Sequence, residues 1–207
     1  SRYGNIINGG QDVDHLVLSG RSDAFFIDDV YSGHHSSVQL ITTSDGYKSF
    51  ARILDIEYID AGAGNDIIDL TSRRFVLTDN TEILGRSGND AIWASSGNDI
   101  IDGGTGNDII FGGTGDDTLT GGNGTDIFQF TATAGSDVIT DFNLTDDSIQ
   151  LYYRATDKHT NADLDLTNGV LTWDVDNTSN DVAIDLSTTV TSTDKLDDLS
   201  VVFVEIF

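Results

Sequence analysis

Aspartate recurs at every ninth position through the middle of this chain. It occupies positions 90, 99, 108, 117 and 126, each time after a glycine-rich stretch and two positions before an apolar residue. Carboxylate oxygens without nitrogen or sulfur donors are hard ligands. They favour Ca²⁺, which accepts about six to eight oxygens in flexible geometry. The spacing therefore predicts a series of calcium sites.

The aspartates belong to a nine-residue repeat. Five units follow one another without a gap from Gly85 to Gln129, namely GRSGNDAIW, ASSGNDIID, GGTGNDIIF, GGTGDDTLT and GGNGTDIFQ. A sixth unit, AGAGNDIID, contains Asp66, and a degenerate copy, GGQDVDHLV, contains Asp14. A fixed period predicts a stacked solenoid, in which no single unit buries its own apolar face.

Each unit is interpreted as a six-residue turn followed by a three-residue strand whose central apolar side chain points inward. Two units make one coil, so Asp90, Asp108 and Asp126 should form one column, with Asp99 and Asp117 opposite. Coils stack at the strand spacing of about 4.8 Å. We expect turn carbonyls to join the carboxylates as ligands. The predicted calcium-binding residues are Asp66, Gly88, Asp90, Gly97, Asp99, Gly106, Asp108, Gly115, Asp117, Gly124 and Asp126.

The units resemble the G-G-x-G-x-D-x-U-x nonapeptide of RTX proteins. The resemblance implies a parallel β-roll that binds several Ca²⁺ ions. The other calcium motif to consider is the EF-hand loop, and the segment DVDNTSND from Asp174 carries two well-spaced acids. It lacks the turn glycine and the closing glutamate, so we reject it.

Composition limits the other classes of partner. The chain has 35 acidic and 10 basic residues, a formal net charge of −25, and no cysteine. Disulfides and zinc-thiolate sites are therefore excluded, and nucleic acid is a poor partner because no basic patch would release phosphate counterions. The sequence contains no apolar run of about 18 residues, so we predict no membrane-spanning segment. Bound cations are the expected means of offsetting the charge.

The predicted fold is all-β: a short calcium-bound parallel β-roll flanked by non-repeating β segments. We assign residues 1–60 to an N-terminal β segment that includes the degenerate repeat. Residues 61–129 form the roll, which an insertion at 70–84 interrupts, and residues 130–207 form a C-terminal β segment that caps it. Alternating apolar and polar residues in both flanks favour strands, and no segment carries a helical period with caps.

The insertion and the unit after it bring three of the ten basic residues, Arg73, Arg74 and Arg86, close to the repeats. An arginine beside calcium columns needs an anion. That anion is either a neighbouring aspartate or a ligand carboxylate, which the planar guanidinium fits well. Trp93 replaces the usual small residue at the outward ninth position of its unit. We therefore predict that Arg73, Arg74, Arg86 and Trp93 contribute to a ligand site.

The chain carries neither H-E-x-x-H nor G-x-S-x-G, so we do not expect an enzyme. It begins without Met, which we interpret as a segment of a larger protein. Its layout is similar to peptide-binding modules of large RTX adhesins. That likeness implies a secreted or bacterial cell-surface module, monomeric, that captures the free carboxyl end of peptides or proteins on another cell. The alternative is a structural segment that folds on Ca²⁺ outside the cell, and ice binding is less favoured.

Overall fold

A computed structural model describes residues 6–8, 15–18, 23–28, 37–42, 48–54, 57–71, 78–154, 164–173, 182–186, 189–190 and 199–206. These residues form β-strands and turns and no helix, so the predicted all-β class is confirmed. No helix able to cross a membrane occurs in these ranges. The strands in chain order are β1 (Ile6–Asn8), β2 (His15–Val17), β3 (Asp23–Asp28), β4 (Ser37–Thr42), β5 (Lys48–Leu54), β6 (Tyr58–Asp60), β7 (Ile67–Asp69), β8 (Glu82–Leu84), β9 (Ala91–Trp93), β10 (Ile100–Thr105), β11 (Ile109–Phe111), β12 (Thr118–Asn123), β13 (Ile127–Thr131), β14 (Ser136–Ile139), β15 (Ser148–Arg154), β16 (Leu164–Thr167), β17 (Val170–Trp173), β18 (Val182–Asp185) and β19 (Val201–Ile206).

Two sheets face each other along a parallel β-solenoid. The ten-stranded sheet has the order β1-β5-β4-β3-β7-β9-β11-β13-β15-β19, and the nine-stranded sheet has the order β16-β17-β18-β14-β12-β10-β8-β6-β2. From β6 to β15 the chain alternates between the sheets, so each coil adds one strand to each sheet. Neighbouring coils pair in parallel, with Ile101 opposite Leu119 and Ile110 opposite Phe128. The predicted parallel β-roll is thereby confirmed.

The core of the roll consists of the central side chain of each short strand. Successive strand residues point to opposite faces, so the middle residue of three turns inward. One row comes from the nine-stranded sheet and the other from the ten-stranded sheet, and every member is at most 2% exposed. The two rows are Ile59, Ile83, Ile101, Leu119 and Ile139, and Ile68, Ile92, Ile110, Phe128 and Ile149.

The segment predicted as an insertion contributes to the roll. We expected residues 70–84 to interrupt the repeats, but their last three residues form β8, which pairs in parallel with β6 and β10. Ile83 is fully buried in the inner row, and Thr81 occupies the position that aspartate takes in the other units. The signal was missed because this half-coil lacks both the aspartate and the glycines.

The flanks extend the same two sheets. The degenerate repeat supplies β2, which pairs in parallel with β6, while its Asp14 lies outside the described residues. An antiparallel group, β3-β4-β5, joins the roll through the parallel pairing of β3 with β7. At the other end β16, β17 and β18 form an antiparallel group, and β19 pairs with β15. The roll thus passes into non-repeating strands at both ends.

Candidate metal centre

The first column of aspartates lies on one edge of the roll, in the turns that lead into the ten-stranded sheet. Each main-chain amide in it donates to the side chain of the next member. The amide of Asp66 donates to Oδ1 of Asp90 at 2.7 Å, and that of Asp90 donates to Oδ1 of Asp108 at 2.7 Å. The series continues to Asp126 at 2.8 Å and to Asp147 at 2.9 Å. Each carboxylate therefore lies in the layer between its own turn and the preceding turn on that edge.

The second column lies on the opposite edge and follows the same rule. The amide of Thr81 donates to Oδ1 of Asp99 at 2.7 Å, the amide of Asp99 to Asp117 at 2.8 Å, and the amide of Asp117 to Asp137 at 2.9 Å. The structure thus places the predicted aspartates in the two columns that alternating repeats imply. Their role as calcium ligands remains a prediction.

A ladder of hydrogen bonds on the outside of each edge runs in the opposite direction. The amide of Asn107 donates to Oδ1 of Asn89 in the preceding coil at 2.9 Å, and the amide of Thr125 donates to Oδ1 of Asn107 at 3.0 Å. On the second edge, the amide of Asp116 donates to Oδ1 of Asn98 at 3.1 Å. These outer bonds hold the turns at a constant separation and so position the inner carboxylates.

Burial dominates the electrostatics of both columns. Seven of the eight aspartates in the columns, all except Asp147, are only 1–2% exposed. Burial, reinforced by neighbouring carboxylates, raises the pKa values of Asp90, Asp99, Asp117, Asp126 and Asp137. The pKa is raised to about 7 for Asp90 and Asp137 and to about 6 for Asp99, Asp117 and Asp126. A buried carboxylate becomes stable only when it is neutralised or paired with a cation. The columns therefore favour either protons or bound cations.

Several carboxylates in the described part of the columns keep one oxygen without a hydrogen-bond partner. Among them are those of Asp90, Asp108, Asp117 and Asp126, whose buried Oδ2 atoms accept no hydrogen bond. The Oδ2 of Asp108 lies against Gly103, the first residue of the same unit, where a Cβ would come within 2.6 Å of it. Glycine thus leaves room beside an unsatisfied, buried oxygen. A hard divalent cation would satisfy that oxygen and offset its charge.

The remaining ligands must come from the main chain. Within the described ranges no three acidic or histidine side chains converge on one point, because each repeat contributes a single aspartate to its column. The turn glycines supply carbonyls: a Cβ at Gly106, where φ is +134°, would collide with the carbonyl oxygen of Gly88. The same relation joins Gly124 to Gly106 and Gly115 to Gly97. Carbonyl oxygens are therefore directed along the roll, from one turn towards the next, in the same layers as the carboxylates.

Comparison with known families bears directly on this arrangement. The RTX calcium-binding nonapeptide repeat matches in four copies, at residues 55–71, 78–110, 95–128 and 102–139. The chain carries RTX calcium-binding repeats. These repeats are known to bind Ca²⁺, and they are typical of proteins secreted outside the cell. Among curated proteins no match to the chain was found.

Three members of the columns were missed when the RTX repeats were read from the sequence. Asp137 and Asp147 follow their predecessors by 20 and 21 residues, and Thr81 precedes Asp99 by 18 but is not acidic. The sequence around Asp137 and Asp147 does retain part of the repeat. The segment GSDVI around Asp137 keeps the glycine, aspartate and inward isoleucine of an RTX unit, and DSI at Asp147 keeps the last two.

Of the two anions considered for Arg86, a neighbouring aspartate or a ligand carboxylate, the structure shows the aspartate. Its Nε donates to Oδ1 of Asp60 at 3.2 Å, and its second guanidinium nitrogen donates to Oδ2 of Asp60 at 2.8 Å and to the Tyr58 hydroxyl at 3.3 Å. The partner is a neighbouring aspartate on β6. Arg73 and Arg74 lie outside the described residues.

Trp93 lies on the outer face of the ten-stranded sheet. It is half-buried, and its Nε1 donates to Oε1 of Gln129, two strands further along the sheet, at 3.1 Å. Gln129 in turn donates to Gln150 at 3.1 Å and to the Tyr152 hydroxyl at 3.0 Å. The partners of Arg86 lie on β6 of the other sheet, so these contacts do not bring Trp93 and Arg86 into one site.

Proposed function

We propose that this chain is a calcium-dependent module of a secreted RTX protein and that it acquires its fold when Ca²⁺ fills the two columns. One observation carries the proposal: the buried Oδ2 atoms of Asp90, Asp108, Asp117 and Asp126 have no partner. A protein of net charge −25 that stacks carboxylates at coil spacing needs compensating cations. The family match supports calcium as that cation.

In this proposal the aspartates and turn carbonyls bind the ions, and the isoleucines form the core. Asp90, Asp108 and Asp126 would hold ions on one edge and Asp117 on the other, with turn carbonyls such as that of Gly88 completing the coordination. When bound, Ca²⁺ supplies positive charge and a flexible set of oxygen contacts. The inner isoleucines close the core only after the turns have been brought together. Calcium binding is therefore coupled to folding.

The test is to measure β structure and urea unfolding in calcium, in magnesium and in a calcium chelator. We expect cooperative unfolding in calcium and an unfolded or strongly destabilised chain in chelator. Magnesium should give little stabilisation, because this smaller ion demands octahedral geometry and loses its water reluctantly. Full β structure and an unchanged urea midpoint in chelator would refute the proposal.

We further propose that the module serves a cell-surface RTX adhesin as a ligand-binding domain. Its ligand would be the free carboxyl end of a peptide or protein on a partner cell. Two consecutive arginines in a strongly acidic chain support this, because a guanidinium pairs with a carboxylate through two parallel hydrogen bonds. Arg86 is already held by Asp60, so we assign recognition to Arg73 and Arg74.

This second proposal is tested on immobilised peptides with free or amidated carboxyl ends, in calcium and in chelator. Binding should occur only to free carboxyl ends in calcium. Replacing Arg73 and Arg74 together by alanine should weaken capture at least about tenfold, a loss of about 1.4 kcal/mol, while Arg86→Ala, the matched control, should not. No binding by a folded chain would instead favour a purely structural role.

A further inference from the structure

The last turn of the first column differs from the turns below it. This closing turn comprises residues 141–147. Oδ1 of Asp147 accepts the amide of Asp126 at 2.9 Å, as elsewhere in the column. Its Oδ2 accepts the amide of Asn143 at 2.8 Å, within the closing turn itself. Both oxygens of Asp147 are therefore satisfied by protein donors, whereas Asp90, Asp108 and Asp126 each keep a buried oxygen without one.

A second carboxylate of the closing turn also contacts the turn below. Oδ1 of Asp141 accepts the amide of Gly121 at 2.9 Å, and its Oδ2 accepts the amide of Gly122 at 2.7 Å. At the equivalent place two coils earlier, the amide of Gly85 donates to a main-chain carbonyl, that of Asp102, at 2.8 Å. Here a side chain takes over that contact. Two carboxylates thus join the closing turn to the roll through three main-chain amides, those of Asp126, Gly121 and Gly122.

The closing turn is further organised by its own side chains. Oδ1 of Asn143 accepts the amide of Thr145 at 3.0 Å and its hydroxyl at 2.8 Å, and the Asn143 amide side chain donates to Asp146 at 2.9 Å. These bonds hold the amide of Asn143 towards Asp147. The donor that occupies Oδ2 of Asp147 is therefore built into the turn.

We propose that Ca²⁺ fills the layers that contain Asp90, Asp108, Asp126 and Asp117, and that the layer between Asp126 and Asp147 closes without metal. The inference rests on the proposed calcium binding and assigns it to particular layers. Amide donors at Asn143, Gly121 and Gly122 take the place that a cation holds lower in the column. Charge-assisted hydrogen bonds of this kind are roughly twice as strong as neutral ones.

This difference gives the two parts of the molecule different requirements. The repeats need calcium to bring their turns together, whereas the closing turn contacts the last repeat through bonds that need none. The C-terminal strands that follow the closing turn can therefore form without calcium. They then provide a sheet edge with which the repeats pair once they bind Ca²⁺.

The first test counts the calcium ions bound per chain, by titration calorimetry and by elemental analysis of the gel-filtered protein. Asp108→Asn should bind at least one ion fewer than the unchanged chain, and Asp147→Asn should bind the same number. Loss of an ion in Asp147→Asn as well would overturn the metal-free closing turn. Loss of no ion in either variant would instead overturn calcium binding by the columns.

A second measurement uses the unchanged chain, so that it does not depend on the folding of a variant. Crystals grown in calcium would be used to locate the ions from their anomalous scattering. We expect peaks beside Asp90, Asp108, Asp126 and Asp117 and none beside Asp147. A peak in contact with Oδ2 of Asp147, with Asn143 turned away, would refute the inference while leaving the calcium role of the repeats intact.

Discussion

The amide of Asp90 donates to Oδ1 of Asp108, 18 residues further along the chain, at 2.7 Å. This bond fixes the Asp108 carboxylate in the layer between the two turns and leaves its Oδ2 buried without a partner. The same arrangement recurs at Asp90 and Asp126 in the first column. Within the repeats, single aspartates from successive turns are thereby stacked, with one carboxylate in each layer.

Asp108→Asn separates the two functions of this side chain. The asparagine Oδ1 can still accept the amide of Asp90, but the charge and the second carboxylate oxygen are lost. We expect at least about a tenfold increase in the calcium concentration needed for half-maximal folding, and no loss of stability in chelator. Calcium titration followed by circular dichroism measures this. The control is Asp165→Asn on the exposed β16, which should leave the midpoint unchanged.

The columns also predict that acid partly replaces calcium. Burial raises the pKa of Asp90 to about 7 and those of Asp117 and Asp126 to about 6, against 3.8 for the unperturbed group. Between these values the folded chain binds more protons than the unfolded chain, so without calcium its stability falls as the pH rises. At about 1.4 kcal/mol for each unit of pKa shift, such a carboxyl contributes on the order of 3–4 kcal/mol to this dependence.

We therefore expect the chelated chain to unfold at a higher urea concentration at about pH 5 than at about pH 8. Calcium affinity should show the opposite trend, because Ca²⁺ competes with protons for the same oxygens. Urea midpoints at both pH values, with and without chelator, measure the effect. In Asp90→Asn the pH dependence should be weaker, and a chelated chain that is more stable at about pH 8 would contradict the prediction.

Gly106 tests the close approach of successive turns. Its φ of +134° is unfavourable for other residues, and an added Cβ would collide with the carbonyl oxygen of Gly88. Gly106→Ala should cost more than about 1–3 kcal/mol, the usual cost of backbone strain, and should reduce calcium affinity because that carbonyl is displaced. Thr105→Ala, at the exposed neighbouring position, is the control. Equal melting temperatures in calcium for the two variants would show that the turns do not approach so closely.

Arg86 occupies a turn position that is glycine in the units beginning at Gly103, Gly112 and Gly121, and it adopts a φ of +74°. Its ion pair with Asp60 is exposed to solvent and contributes little. Arg86→Gly loses the pair but removes the left-handed strain, whereas Arg86→Ala loses the pair and keeps the strain. We expect the glycine variant to melt at the higher temperature in calcium. Because both variants lose the ion pair, the reverse order would show that the left-handed strain at this position is smaller than the conformational entropy that glycine adds to the unfolded chain.

The regular part of the roll was predictable because its residues repeat at a constant spacing. Asp90 and Asp108, separated by two nine-residue units, could be assigned to one column from the sequence alone. Residues that break the period could not. Thr81 carries no carboxylate, Asp137 follows Asp117 by 20 residues, and the contact of Asp141 with Gly121 and Gly122 depends on the path of a turn with no counterpart among the repeats.

The ligand-site residues show a different limit. Sequence proximity favoured a shared site for Arg86 and Trp93, which lie seven positions apart. In a roll, however, consecutive half-coils belong to opposite sheets. Asp60 lies 26 residues before Arg86, and Gln129 lies 36 residues after Trp93. Partners in such a fold are set by the coil step, and a non-repeating side chain such as that of Gln129 offers no periodic signal to identify it.

The unequal lengths of the coils have a consequence for assembly. Steps of 18 residues separate Asp90, Asp108 and Asp126, so these coils are interchangeable, and a slip by one whole coil would recreate most of their hydrogen bonds. The step from Asp66 to Asp90 is 24 residues and that from Asp126 to Asp147 is 21. A slipped chain would meet the wrong length at both ends. The irregular end coils therefore fix the register in which the coils pair, because the alternative registers fit only the regular coils.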